Sequence, residues 1–367
     1  MCVRFAAEGG VNFSEGYAVK KKLILITACF MALVITACFF ASCENKDGSN
    51  GNVDNSETKI IVLGDSIGEG ILGPTPVIER DNYSYLGVVG QINGFTYRNR
   101  AISGHKSGQL LEYISREADD TAYAPITHIM EADVIVVSIL GNDLLQVGFS
   151  QYVMKALETP ADYTEVDALL DESYSNIEGI VARIKELNPD AELLIQTVYN
   201  PMYPGSTTMG AKDKQKVIEA HPEVTEEDFY NIAGLLINRL NNVLYRYLVL
   251  HPGAFSILDV NGKFDGLYRA DSNRLDRLIY PDCVHPSNEG HAVIAGLLQE
   301  KLEDLGIADH DYAIANYKTL RKDQLDRLYT DTEVDVKAAK KAIDKASTYD
   351  AITKAYFDAI DGVTPNY

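Results

Sequence analysis

The stretch from Lys59 to Gly70, KIIVLGDSIGEG, decides how the rest of the chain is read. A run of β-formers stops at Gly64 and is followed by Asp65, Ser66 and two further glycines. An apolar run of that length, bounded by glycine, predicts a buried strand that ends in a tight turn. Ser66 is then either a polar turn residue or a nucleophile held at a strand end. The remaining strands decide between the two.

Apolar runs of strand length and β-branched content recur at 59–63, 96–102, 133–140, 191–199 and 254–260. Helical stripes lie between them. Ile177, Ile180, Val181, Ile184 and Leu187 form one; Phe229, Ala233, Leu236, Leu240 and Leu244 form another, with Thr225 as its N-cap before Glu226, Glu227 and Asp228. Alternating β and α elements predict a parallel sheet covered on both faces, and such sheets carry their sites at the carboxyl ends of the strands. The expected fold is a three-layer α/β/α sandwich with about five parallel strands.

Each expected strand is followed by residues that can do chemistry. The first leads into GDSIGEG, the second into AISGHKSG, the third into GNDLL, and the fifth, after an excursion, into DCVHPSNEGH. Ser66, Gly104, Asn142, Asp282 and His285 therefore converge on one rim of the sheet. Acyl transfer needs such a set: a nucleophile, a base, an orienting acid and donors for an oxyanion. Asp282 and His285 are three apart on a loop closed by Pro286, so the carboxylate can reach Nδ1–H and leave Nε2 for Ser66. Gly104 lets its backbone N–H approach a substrate closely, Asn142 offers a side-chain amide, and Ser66 offers its own N–H; these are three oxyanion donors.

At these residues the chain resembles the SGNH/GDSL hydrolase superfamily, whose flavodoxin-like fold agrees with the layering above. Its blocks appear in order as GDS with Ser66, the glycine of AISG at Gly104, GND with Asn142, and DxxHP with Asp282 and His285. The resemblance runs from about Thr58 to Leu305. It implies that Ser66, Asp282 and His285 are nucleophile, acid and base, and that Ser66, Gly104 and Asn142 form the oxyanion hole. Ile67 stands where leucine gives the motif its name, an apolar exchange of little consequence.

Competing readings fit less well. GDSIG also matches the G-x-S-x-G elbow of α/β-hydrolases, but that fold places several strands before its serine and separates its acid from its histidine. A phosphate loop would end in Lys-Ser/Thr, which is missing. His291 opens the final helix of this region and is read as a packing or capping residue; His105 is read as an exposed loop residue beside the pocket. Asp65 and Asp143 are expected to bind nearby backbone N–H groups and shape their turns, and Cys283 to be a small buried hydrophobe. No H-E-x-x-H or paired-cysteine pattern occurs, so neither a metal nor a cofactor is expected.

The flanking segments set the location. Lys20, Lys21 and Lys22 precede a long apolar run that ends in FASC at Cys43 and then turns polar, the order of an export signal. Small residues before a cysteine resemble a bacterial lipobox. Cys43 is favoured as the lipidated residue over Cys38 in ITAC, because the hydrophilic chain begins directly after it. An uncleaved anchor from Leu23 to Ser42 is the alternative, and either way the domain faces outward. Residues 1–18 lack export logic, and Val19 fits an internal GTG start that would leave them untranslated. Residues 44–57 read as a flexible tether with a reach of roughly 20 Å.

The hydrolase domain is expected over 58–308 and a small α-helical C-terminal module, without chemistry, over 309–367. A small bundle or a brace against the main domain both fit it. A formal charge of −20 disfavours a nucleic-acid partner or an anionic membrane surface, so the membrane enters only through the lipid anchor. The activity expected is that of a serine esterase or acylhydrolase on a lipid or short acyl ester. A carbohydrate O-deacetylase is the alternative, and a catalytically silent glycan-binding surface lipoprotein is the alternative of another class. The segment TVYNPMYPG resembles lipase-like members, and the apolar LLQVGF after Asn142 is a candidate acyl-pocket wall.

Overall fold

In the computed structural model the described residues are 55, 57–73, 75–116, 125–146, 148–204, 209–271, 277–280, 284–330 and 332–367. Cys38, Cys43, Asp282 and Cys283, the export signal and most of the tether lie outside them. Five strands form the sheet: β1 (Lys59–Gly64), β2 (Thr96–Asn99), β3 (Val134–Ser138), β4 (Glu192–Gln196) and β5 (Ser256–Leu258). Their order is β2-β1-β3-β4-β5 and every pairing is parallel. The order reverses between β1 and β3, and the crevice at such a reversal is where open α/β sheets bind ligands.

Ten helices position the site or brace the sheet: α1 (Ser66–Glu69), α2 (Tyr85–Asn93), α3 (Ser107–Ser115), α4 (Gly141–Leu145), α5 (Thr164–Leu187), α6 (Glu226–Leu250), α7 (Asn288–Asp304), α8 (His310–Leu328), α9 (Val336–Lys345) and α10 (Tyr349–Ala359). Successive strand side chains point to opposite faces. Ile60, Val62, Val134 and Val136 therefore pack with α2 and α7 in one core, while Ile61, Leu63, Ile135 and Val137 pack with α3, α5 and α6 in the other. Both faces are covered, so from Ile60 onward β1 is apolar and buried at every position rather than alternating. The N-cap expected at Thr225 is present as a reciprocal capping box: Asp228 N–H donates to its hydroxyl at 3.1 Å, and Thr225 N–H donates to the Asp228 carboxylate at 2.9 Å.

Four of the five apolar runs make shorter strands than their length implies, the fourth ending at Gln196 and the fifth at Leu258. The third stops at Ser138 because Leu140, at φ 84°, turns the chain into α4. The second stops at Asn99, although Arg100 and Ile102 still donate to the Val62 and Gly64 carbonyls, each at 2.9 Å. The following loop is thereby laid along the end of β1.

Helices α8 to α10 are joined to the sheet domain by a continuous core. Tyr317, Leu325, Ile343, Ile352 and Tyr356 share one apolar cluster with α2 and α7. Arg327 donates to both carboxylate oxygens of Glu79 at 2.6 and 2.7 Å, and the Tyr83 and Tyr356 hydroxyls are 3.0 Å apart. Of the two arrangements left open for these helices, they act as a brace. Gly362 takes a left-handed turn (φ 71°) two residues beyond Ile360, which caps α10. Among the described residues no helix is long and apolar enough to cross a membrane.

Candidate active site

Steric exclusion brings Ser66 to the rim. Gly64 ends β1 at φ 136°, and a Cβ there would lie 1.8 Å from the Ser138 carbonyl oxygen, so the backbones of β1 and β3 meet where no side chain fits. Asp65 N–H donates to that carbonyl at 2.9 Å. The Asp65 carboxylate then accepts the Ile67 N–H at 3.0 Å and caps α1, whose first residue is Ser66. Gly70, at φ 80°, ends the helix after one turn. Ser66 is left half-buried, with its Oγ 2.8 Å from Nε2 of His285.

His285 is held from its own backbone. Tyr280 N–H donates to the His285 carbonyl at 2.8 Å, and Ser287 N–H donates to the Leu278 carbonyl at 2.9 Å. Ile279 and Pro286 pair as an antiparallel bridge between them. The Tyr199 hydroxyl, arriving from the end of β4, donates to the carbonyl of the neighbouring Val284. Sequence reasoning did not single out Tyr199 as a support of the histidine. Its neighbour Val198 is fixed by Asn241, whose amide exchanges two hydrogen bonds of 2.8 Å with the Val198 backbone.

Gly104 and Asn142 face Ser66 from the other side. Gly104 takes φ 82°, in the left-handed region, on the exposed loop after β2. Asn142 lies in the first turn of α4 and donates one amide hydrogen to the His105 carbonyl at 3.0 Å; its second hydrogen is not needed for that bond. Ser66 N–H belongs to the first turn of α1, where a helix provides no acceptor. Together with His285 these residues line a cavity of about 420 Å³. Ile67, Ile71, Leu145, Val198, Tyr199 and Val284 supply its apolar walls. Of the segment LLQVGF, Leu145 reaches the cavity, whereas Leu144 and Phe149 turn into the core.

Burial shapes the electrostatics around the serine. Asp65 is almost wholly buried, and loss of solvation pushes its carboxyl up to about 7 despite the backbone N–H groups it accepts. Asp143 is also raised by burial, against the opposing hydrogen bonds from Ser107. It binds the Ser107 hydroxyl at 2.6 Å and the Ser107 N–H at 3.0 Å, so beyond its own backbone N–H it also fixes the start of α3. His291 is fully buried, stacks on Tyr85 with centroids 6.0 Å apart, and faces the Ile71 carbonyl through Nε2 at 3.0 Å; burial lowers it to about 4. It packs as expected. His105 is half-buried rather than exposed, set edge-on to Tyr113, and lies outside the cavity lining because its ring turns toward α3. Among the described residues no cluster of His, Cys, Asp or Glu is arranged to hold a metal ion.

A serine and a histidine in hydrogen-bond contact, at the sheet's reversal point and beside a turn rich in N–H donors, define a hydrolase of the α/β/α type. A family model described as the GDSL-like lipase/acylhydrolase family matches residues 62–293, and the chain belongs to that family. The chain is 23% identical over 297 residues, 78% of its length and 98% of the relative's, to the Bacillus subtilis (strain 168) uncharacterized protein YpmR. Among solved structures it is similar to the lipase Lip_vut3 from a goat rumen metagenome, at 19% identity and a TM-score of 0.45 over 68% of this chain and 98% of that one. It is also similar to phospholipase A1 from Streptomyces albidoflavus NA297, at 16% identity and a TM-score of 0.45 over 66% and 99%.

Proposed function

We propose that the chain is a serine esterase that cleaves carboxylic esters through an acyl-enzyme on Ser66. The observation that carries this reading is the 2.8 Å contact between Ser66 Oγ and His285 Nε2 at the wall of an apolar-sided cavity. In this mechanism His285 takes the serine proton as Oγ attacks the ester carbonyl, and returns it to the departing alcohol. The carbonyl oxygen becomes an oxyanion facing the N–H groups of Ser66 and Gly104 and the amide of Asn142. Water then attacks the acyl-enzyme with His285 again as base, releasing the acid and restoring Ser66. Asp282, outside the described residues, is assigned as the acid that orients His285 and stabilises the imidazolium. The Ile67, Ile71 and Leu145 walls favour an acyl chain over a bare acetyl group. The chain is further proposed to be held on the outer face of a bacterial membrane by lipid on Cys43.

Labelling with a fluorophosphonate separates an enzyme from a silent binding scaffold, since only an activated serine reacts. Hydrolysis of p-nitrophenyl esters from acetate to palmitate then sets the acyl length. A maximum at acetate would move the reading to the carbohydrate O-deacetylase. Ser66→Ala should abolish labelling and turnover, whereas Asn142→Ala should lower kcat by about 10²–10³ with little change in KM, because its donor meets charge that develops in the transition state. More residual activity in Ser66→Ala than in Asn142→Ala would overturn the serine mechanism. Intact-mass analysis showing an unmodified N-terminus elsewhere would remove the anchor at Cys43.

A further inference from the structure

The donor on Gly104 is only as good as the direction in which its N–H points, and glycine does little to set that direction. At φ 82° the residue occupies a region where glycine moves freely, and the peptides on either side of it can rotate at low cost. The loop Ala101–Lys106 must therefore be held from outside. One side is held by α4: Gln146 Nε2 donates to the Gly104 carbonyl at 3.0 Å and Asn142 Nδ2 to the His105 carbonyl at 3.0 Å.

The other side is held by the serine's own turn. Glu69 lies three residues after Ser66 in α1, and its Oε2 accepts the Ser103 N–H at 2.9 Å and the Ser103 hydroxyl at 2.5 Å. Both bonds are charge-assisted and therefore about twice as strong as neutral ones. The second carboxylate oxygen, Oε1, faces Arg80 Nη1 at 3.6 Å, which limits rotation of the carboxylate. Asn99, at the end of β2, adds a parallel link. Its amide donates to the Gly68 and Glu69 carbonyls at 3.0 and 3.1 Å, while its oxygen accepts the Ala101 N–H at 3.1 Å.

We propose that Glu69 is a positioning residue for the oxyanion hole, registering the Gly104 N–H against the Ser66 hydroxyl by tying Ser103 to the turn that carries the nucleophile. Pinning Ser103 N–H and the Gly104 carbonyl leaves the intervening peptide, which contains the Gly104 N–H, with one orientation. Any displacement of α1 is transmitted to the loop, so nucleophile and donor move together. The assignment rests on the acyl-enzyme reading of Ser66 and gives a role to Glu69 beside that of Asp65, which caps the same turn.

The test compares Glu69→Ala and Glu69→Gln with the unmodified protein, all checked by circular dichroism and thermal melting. Readouts are kcat and KM on one p-nitrophenyl ester and affinity for a trifluoromethyl ketone, whose adduct with serine places an oxyanion in the hole. Glu69→Ala should lower kcat by about tenfold to a hundredfold, less than loss of a donor itself, and weaken ketone binding in parallel, with KM within about twofold. Glu69→Gln keeps an acceptor for Ser103 and should recover most of the loss. Combined with Asn142→Ala, the losses should be less than multiplicative, because both act on the same oxyanion.

Unchanged kcat and ketone affinity in a folded Glu69→Ala variant would overturn the proposal, as would fully multiplicative losses or a Gln variant no better than Ala. Should Glu69→Ala fail to fold, Glu69→Asp shortens the side chain by one methylene and withdraws the carboxylate from both Ser103 groups, and an unchanged kcat there overturns it equally. Failure of the unmodified protein to label with a fluorophosphonate would instead sink the serine reading itself.

Discussion

Asp65 and His291 are buried next to the same turn and respond to pH in opposite directions. The Asp65 carboxyl rises from an ordinary 3.8 to about 7 in the fold, so the folded chain holds a proton that the unfolded chain has released. The stability this group contributes is complete below about 4 and is lost as pH rises toward 7. His291 falls from 6.5 to about 4, so the unfolded chain takes a proton that the folded chain refuses. Its contribution is complete above about 6.5 and is lost as pH falls toward 4. Each group can contribute at most about 1.4 kcal/mol per pH unit within its window. Urea denaturation at several pH values should therefore give difference curves of opposite slope: Asp65→Asn gains on the unmodified protein between pH 4 and 7, and His291→Gln gains as pH falls below 6.5. Parallel curves would mean that neither group keeps its shifted proton affinity.

The elements carry the site through a close backbone crossing. Where β1 ends, Gly64 meets the Ser138 carbonyl of β3 with no room for a side chain, and Asp65 and Ser66 follow directly. A methyl group at Gly64 has to displace backbone rather than a flexible side chain. Gly64→Ala should therefore cost about 2–4 kcal/mol in thermal or chemical unfolding. What remains folded should label more slowly with fluorophosphonate, because Ser66 has shifted from His285. A Gly64→Ala protein with normal stability and normal labelling would show that the crossing tolerates separation. The neighbouring turn has the converse arrangement: Leu140 is driven to φ 84° although it has a buried side chain, and the core contact that holds it there starts α4 and so directs Asn142.

For the whole molecule, the C-terminal helices are part of the core rather than an attachment. Ending the chain at Asp309 would expose the faces of α2 and α7 that now meet Tyr317, Ile352 and Tyr356. Such a truncation should lose its cooperative melt and aggregate, even though no residue beyond 309 lines the Ser66 cavity. A truncated chain that melts like the full one would show that the brace is dispensable. At the centre of the brace Arg321 is fully buried among Tyr83, Tyr317, Tyr356 and Phe357. Its Nη atoms donate to Gln324 at 2.7 Å and to the Tyr317 hydroxyl at 3.1 Å, while Nε has no hydrogen-bond partner among the described residues. A cation buried with incomplete bonding stabilises little beyond its packing. Arg321→Met should stay within about 1 kcal/mol of the unmodified protein, whereas Arg321→Ala should cost about 2–4 kcal/mol through the cavity it leaves. Equal losses in the two variants, measured by thermal unfolding, would assign the stability to the guanidinium charge.

What could be read from sequence was what depends on neighbours along the chain. The run ending at Gly64 announces a buried strand because only a strand covered on both faces is apolar at every position. Thr225 announces its helix because a cap needs a side-chain oxygen and an acidic residue at fixed spacing. The convergence of Ser66, Gly104, Asn142 and His285 on one rim follows from parallel topology, which brings the ends of all strands to the same side. The supports of those residues were not legible, since each joins positions far apart through a side chain of ordinary type. Glu69 reaches Ser103, Gln146 reaches Gly104, and Tyr199 reaches Val284, with no local pattern to mark them. The helices after Asp309 carried clear stripes, but a stripe states only that a face will be covered and not by what. Tertiary structure decided that they cover α2 and α7, because long-range packing is selected by the shape and volume of the facing surfaces, which no single segment encodes.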